Sequence, residues 1–297
     1  MKGSSIPRIR PQVISIIGSG FTGTAVGKGL QSLGYSVIFY DIQHKDLPNF
    51  TQDLHEAIRN SSVSIICIPT PTRVSGDIDL SHLESGVASI GSELRHKNEY
   101  HLLAVKSTIM PTTTETILIP ILEKASGKKA GVDFGICVNP EFMTQLSTSW
   151  SDDESFARTF FNEDRIVIGE HDSRAGSLLE EIYKPLRARI WRVDMKTAEM
   201  IKCASNCMLA TKISYWNEIF LICNSMGIDA QKVANVVATD HRIGKYGTVL
   251  GKAFGGRCLP KDLDGFISIA RRYQQLVLLE SVRAINERMR QNYGVRE

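Results

Sequence analysis

The stretch VISIIGSGFTGTAVGKGLQSLGYSVIFYD, residues 13–41, decides the fold. Val13 to Ile17 is a short apolar run rich in β-branched residues, and it stops at Gly18-Ser19-Gly20-Phe21-Thr22-Gly23. A helical pattern over residues 24–33 ends at Gly34, and a second apolar run, Ser36 to Tyr40, closes on Asp41. Strand, glycine turn, helix and strand make a βαβ unit. In such a unit Gly18 makes the tight turn, Gly20 lets the backbone approach a pyrophosphate, and Gly23 lets the helix pack on the strand. Phe21 and Thr22 lie inside that turn, where the helix N-terminus offers free N–H groups to an anion. Asp41 stands 23 residues after Gly18, where a carboxylate binds a ribose 2′-hydroxyl and disfavours a 2′-phosphate. The prediction is a domain that binds NAD.

Further strands are expected at 63–68, 102–106, 134–138 and 165–168, with helical segments between several of them. This alternation implies an α/β fold, a mostly parallel, doubly wound Rossmann-type sheet. Polar residues gather at the strand ends, in Pro69-Thr70-Pro71, Ser107-Thr108 and Asn139-Pro140-Glu141. Ligands bind beyond the carboxyl ends of such strands. From Met195 to Met226 there is no Pro or Gly, and apolar spacing is helical throughout, which predicts one long helix. More helices follow at 230–238, 262–272 and 276–290. The expected division is a cofactor domain over 1–193 and a helical domain over 194–297 built on the long helix, a candidate homodimer interface.

Composition excludes several classes of function. Lys plus Arg number 35 and Asp plus Glu 32, a formal charge of +3, too balanced for a nucleic-acid or anionic-membrane protein. No apolar run reaches the ~18 residues of a membrane span, and the first twelve residues lack the apolar core of a secretory signal. Five of the six cysteines sit in apolar stretches, as reduced thiols do, which places the chain in the cytoplasm. Cys203 and Cys207 have no second Cys or His pair near them, so no metal site is expected.

The sixth cysteine is Cys258, in GKAFGGRCLPKD. Pro260 favours a helix starting there, so Cys258 stands just before a helix N-terminus with Arg257 and Lys261 beside it. Two readings are open: a thiolate stabilised by the helix end and the basic neighbours, or a structural thiol in a tight turn. Lys202 and Asn206, i and i+4 on the long helix, share a face. They either hold a reacting oxygen together or are ordinary solvated residues.

The motifs GSGFTG, CIPTPT, KSTIMPTTT, NPEF, AEMIKCASNCMLATKISYWNE, HRIGKY and AFGGRCLPKD occur in this order, and with them the chain resembles the NAD-dependent nucleotide-sugar 6-dehydrogenases, the UDP-glucose/GDP-mannose dehydrogenase family. The resemblance implies a four-electron oxidation of a sugar CH2OH to a carboxylate with two NAD in succession. In it Cys258 is the nucleophile, forming a thiohemiacetal and then a thioester. Lys202 and Asn206 stabilise oxyanions, and Asp262, Thr108 and Glu141 handle protons and the hydrolytic water. Thr70, Pro71, Thr108 and Lys261 join the glycine turn in holding the cofactor. Glu141, Phe142, Lys202, Asn206, Gly255 and Cys258 contact the sugar, and Arg242 reaches it from a neighbouring subunit.

Three departures from the family pattern stand out. The usual second acid after NPEF is Gln145, a glycine often found in the STIMPTTT loop is Thr112, and the C-terminal nucleotide-binding domain of relatives is expected to be missing, since the chain stops at Glu297. Two rival expectations follow. A two-electron 3-hydroxyacid dehydrogenase would use the lysine and asparagine without a thiol; a catalytically impaired homologue would bind NAD without turnover.

Overall fold

The computed structural model describes residues 13–144, 150–151, 154–256 and 258–296. They form two compact units, the first made of residues up to Thr70, Leu80–Glu141 and Phe160–Glu199. The second comprises Pro71–Asp79, the described part of Phe142–Thr159, and the chain from Met200 onward.

The first unit is an eight-stranded sheet with helices. Its strands are β1 (Val13–Ile17), β2 (Ser36–Tyr40), β3 (Phe50–Thr51), β4 (Val63–Ile66), β5 (His101–Val105), β6 (Phe134–Val138), β7 (Arg165–Glu170) and β8 (Arg189–Asp194), in the order β3-β2-β1-β4-β5-β6-β7-β8. Every neighbouring pair is parallel except β6 and β7. The order reverses between β1 and β4, so the carboxyl ends of those strands form the crevice in which such sheets take ligands. Strands β4, β5 and β6 are buried at every position, as central parallel strands covered on both faces must be. Their mostly apolar content is what makes that burial favourable. The structure adds two edge strands that periodicity did not mark. β3 has only two residues, and β8 alternates exposed Arg189 and Trp191 with half-buried neighbours. Helix α1 (Phe21–Ser32) begins inside the glycine turn, three residues earlier than its apolar spacing suggests.

The long helix, α6 here, runs from Met195 to Met226, the predicted bounds. The shorter helices of the first unit are α2 (Leu54–Arg59), α3 (Ser81–Leu94), α4 (Ile119–Ser126) and α5 (Ser173–Tyr183), with a π-helical turn, Thr114–Leu118, leading into α4. In the second unit α7 (Ala230–Val237), α8 (Leu259–Ala270) and α9 (Val277–Tyr293) follow α6. Their core joins Trp150, Cys207, Ala210, Ile213, Phe254, Leu263, Ile267 and Val282. Two short strands, β9 (Ala253–Phe254) and β10 (Val295–Arg296), pair in parallel. Asn286 of α9 locks β9 from the side: its Oδ1 accepts from Phe254 N at 2.8 Å and its Nδ2 donates to Phe254 O at 3.1 Å. The Gly255-Gly256 turn before Cys258 therefore leaves from a fixed point. Helix α8 starts at Leu259, three residues before its predicted start, because Cys258 is its N-cap and Pro260 fits the first turn. Among the described residues no helix is long and apolar enough to cross a membrane.

Candidate active site

The glycine turn of the first unit has the geometry its spacing predicts. Gly18 has φ +96°, and a Cβ there would lie 2.8 Å from the Cys67 carbonyl oxygen; a Cβ on Gly23 would lie 2.0 Å from that of Gly18. Only glycine fits either place. A Cβ on Gly20 would meet nothing within 4 Å, so its backbone faces open space. Helix α1 has no side-chain cap and no acidic residue in its first turn, which leaves its N–H groups to an anionic ligand. Phe21 is exposed and Thr22 half-buried beside it. Asp41 is drawn against the turn: its Oδ2 accepts from Ser19 N and its Oδ1 from Gln43 N, both at 2.9 Å. These residues fit a dinucleotide, the pyrophosphate at Gly20 and the ribose at Asp41.

At the strand ends the Thr70 hydroxyl donates to Thr108 O at 2.7 Å, joining two of the predicted polar clusters. Pro71 is exposed and Glu141 half-buried. Two features here escaped sequence reasoning. Lys106, which reads as the end of a strand, is 5% exposed, and its ammonium donates to Asn139 Oδ1 at 3.0 Å. The Tyr183 hydroxyl donates to the same oxygen at 2.7 Å, and Asn139 Nδ2 to Val167 O at 2.8 Å. Burial pushes the Lys106 pKa down, but Tyr183, Glu163, Glu141 and Cys67 around it leave it above the ordinary lysine value. A charged lysine thus anchors the turn that carries Glu141.

The second feature is Glu199, 1% exposed in the first turns of α6. Its carboxylate accepts from Thr112 N at 2.5 Å, from Thr114 N at 2.9 Å and from the Thr114 hydroxyl at 2.7 Å. It caps the π-helical turn from outside. Thr112 has φ +77°, a left-handed conformation costly for a β-branched residue. Thr112 therefore adopts a backbone shape that suits glycine.

In the second unit α6 and α8 carry the remaining chemistry. Asp262 is fully buried; its Oδ2 accepts from Asn206 Nδ2 at 2.5 Å and its Oδ1 from Lys261 Nζ at 2.6 Å. Lys202, one turn before Asn206, is 6% exposed, which rules out the solvated-surface reading, and its ammonium lies 5.3 Å from the centre of the Phe142 ring. Cys258 is half-exposed, with its carbonyl accepting from Asp262 N at 2.9 Å. Asp262 thus sits one turn inside the helix that Cys258 caps. Burial pushes Cys67 and Cys207 up to about 12, and raises Cys137 and Cys203 as well. Buried thiols held in the neutral form are inert.

Gly255 ends β9 with its N–H donated to Arg296 O at 3.1 Å. Arg242 is exposed and folded onto Asp240, Nη2 to Oδ2 at 2.6 Å. The neighbouring-subunit role expected for it concerns a chain outside this structure. Gln145 and Arg257 lie outside the described residues. Among the described residues no group of three His, Cys, Asp or Glu side chains is placed to hold a metal ion.

Comparison with known proteins matches the two parts of the chain to two domains of one family. Residues 44–187 match the NAD binding domain of the UDP-glucose/GDP-mannose dehydrogenase family, and residues 196–288 match its central domain. The chain belongs to this family. A GDP-mannose 6-dehydrogenase of Pseudomonas aeruginosa is 38% identical over 84% of this chain and 62% of its own length. A UDP-glucose 6-dehydrogenase of Haloferax volcanii is 33% identical over 87% of this chain and 65% of its own. The chain thus spans less than two thirds of either relative. A solved UDP-glucose dehydrogenase from Pyrobaculum islandicum superposes with a TM-score of 0.86 at 30% identity, covering 97% of this chain and 71% of that one. Membership makes NAD the cofactor of the first unit, in agreement with Gly18, Gly20, Gly23 and Asp41.

Proposed function

We propose that the protein oxidises the C6 hydroxymethyl group of a nucleotide-linked hexose to a carboxylate, with Cys258 as the covalent catalyst. The observation that carries this reading is the place of Cys258: it is half-exposed at the N-terminus of α8, one helical turn from Asp262, which is fully buried and bonded to Asn206 and Lys261. NAD, when bound, accepts a hydride in each of two oxidations. Lys202 and Asn206 supply fixed donors to the oxygen on which negative charge develops, an arrangement most effective where water is excluded. The aldehyde from the first oxidation is captured by Cys258; its sulfur bonds the carbonyl carbon, and the thiol proton ends on the new hydroxyl. The second oxidation of this thiohemiacetal gives a thioester. Attack by water then forms the acid and frees the thiol, with Asp262 and Glu141 handling the proton of that water and Thr108 aiding the first deprotonation.

GDP-mannose is the first substrate to test, since the GDP-mannose relative is 38% identical and the UDP-glucose relative 33%. The amide Gln145, where the family pattern has an acid, keeps the impaired NAD-binding homologue as the rival. The experiment is NADH released per sugar from limiting GDP-mannose or UDP-glucose. Two per sugar supports the four-electron reading. One per sugar, undisturbed by Cys258→Ala, sinks it; none, with NAD bound, favours the rival.

A homodimer through α6 is part of the same proposal. Met200, Met208, Tyr215, Ile222 and Met226 are all exposed along that helix, an apolar row whose burial would be favourable. Light scattering of the purified protein tests it, and a monomer at micromolar concentration overturns it.

A further inference from the structure

Pro71–Asp79 belongs to the second unit, although it follows β4 of the first directly in the chain. It is a tight hairpin: Arg73 N donates to Asp77 O at 2.8 Å, Asp79 N to Pro71 O at 2.7 Å, and Thr72 and Ile78 form an antiparallel bridge. Gly76 closes the turn with φ +90°, and Val74 at the tip is fully exposed. A hairpin this short buries too little apolar surface to be stable alone. Asp77 anchors it. The Asp77 carboxylate accepts a hydrogen bond from the Ser268 hydroxyl of α8 and another, at 2.8 Å, from Ser75. Those two donors, with Arg272 and Arg73 nearby, hold its pKa below the usual carboxylate range. Gly76 also approaches α8, since a Cβ there would lie 3.9 Å from Asp264 Cβ. Asp264 and Ser268 are i and i+4, so the hairpin lies along one face of α8.

A helix is a stiff rod, so a contact at Ser268 bears on the place of its first turn, where Cys258, Lys261 and Asp262 sit. The other end of the hairpin follows Thr70, whose hydroxyl bonds Thr108 O. We propose that the 71–79 hairpin is a strap, and that Asp77, through Ser268, is a positioning residue that ties the state of the Thr70-Pro71 cofactor segment to the placement of the Cys258 thiol. The proposal rests on the reading of Cys258 as the reactive thiol. Cofactor binding then changes the reactivity of the thiol.

The test needs no turnover. Iodoacetamide labelling of Cys258 is followed by mass spectrometry of its peptide, with and without saturating NAD, in the wild type, Asp77→Ala, Ser268→Ala and the tip variant Val74→Ala. In the wild type and Val74→Ala, NAD is expected to change the labelling rate at least about five-fold, the lower end of ordinary coupling. In Asp77→Ala and Ser268→Ala the change collapses, with NAD affinity and thermal midpoint close to wild type. An NAD response that persists in both variants, or is missing from the wild type, overturns the strap. Should Asp77→Ala fail to fold, Ser268→Ala alone decides. The labelling rate is separate from NADH stoichiometry, so the strap and the four-electron reading fail independently.

Discussion

Two buried carboxylates of the helical framework differ in the groups that hold them. Glu199, near the start of α6, and Asp262, in the first turn of α8, are 1% and 0% exposed. Glu199 is held by neutral donors, two backbone N–H groups and a hydroxyl. Asp262 is held by the ammonium of Lys261 and the amide of Asn206. The first arrangement satisfies a turn, and its desolvation raises the Glu199 pKa. The second keeps a bonded acid one helical turn from a half-exposed thiol, the arrangement the proposed proton transfer and water activation call for. Equal burial thus comes with different partners, and in the proposed function only Asp262 takes part in the chemistry.

The largest expected break in this comparison is at the thiol itself. Cys258→Ala should lower carboxylate formation about a thousandfold or more, as loss of a covalent nucleophile does, while the NAD dissociation constant stays unchanged. Asp262→Asn comes next: kcat should fall about 10²- to 10⁴-fold, the usual worth of general acid–base catalysis, a loss read by initial rates at saturating substrate. Glu199→Ala should act on stability instead. It strands two backbone N–H groups and costs on the order of 3 kcal/mol, measured by urea unfolding.

The pH dependence sharpens the contrast further. Because the native Glu199 pKa lies above that of an unfolded glutamate, the native state holds the extra proton in that window. Wild-type stability relative to Glu199→Gln is then greatest in acid, below the ordinary glutamate range, and falls as pH rises through the native value. A difference that grows with pH would contradict this account. The smallest effect is at Thr112. Thr112→Gly should stabilise by about 1 kcal/mol, the relief of a left-handed threonine less the added freedom of glycine in the unfolded chain.

The βαβ unit was legible because each of its signals is local. A β-branched run, a glycine turn and a closing acid lie within residues 13–41, and β1 and β2 have their expected bounds. Helix α6 was legible for the same reason, its 32 residues lacking Gly and Pro. The edge strands β3 and β8 were not. One is two residues long, and the other mixes charge with its apolar residues because one of its sides has no neighbouring strand.

The candidate site shows where local reading stops. Cys258, Lys202 and Asn206 were singled out by residue type and spacing, and they lie in the part of the chain that matches the family's central domain. Lys106 and Glu199 were passed over, because what distinguishes them is the company they keep. Glu199 meets its donors across 85 and 87 positions of chain, and Asn206 meets Asp262 across 56. Sequence by itself determined most of the elements and the cofactor turn, since backbone propensity, apolar period and motif spacing act over a few residues. Only tertiary structure decided which acid is paired with a lysine, which thiols are inert and which hairpin is anchored on α8, because burial and hydrogen-bond partnership depend on segments that meet only when the chain has folded.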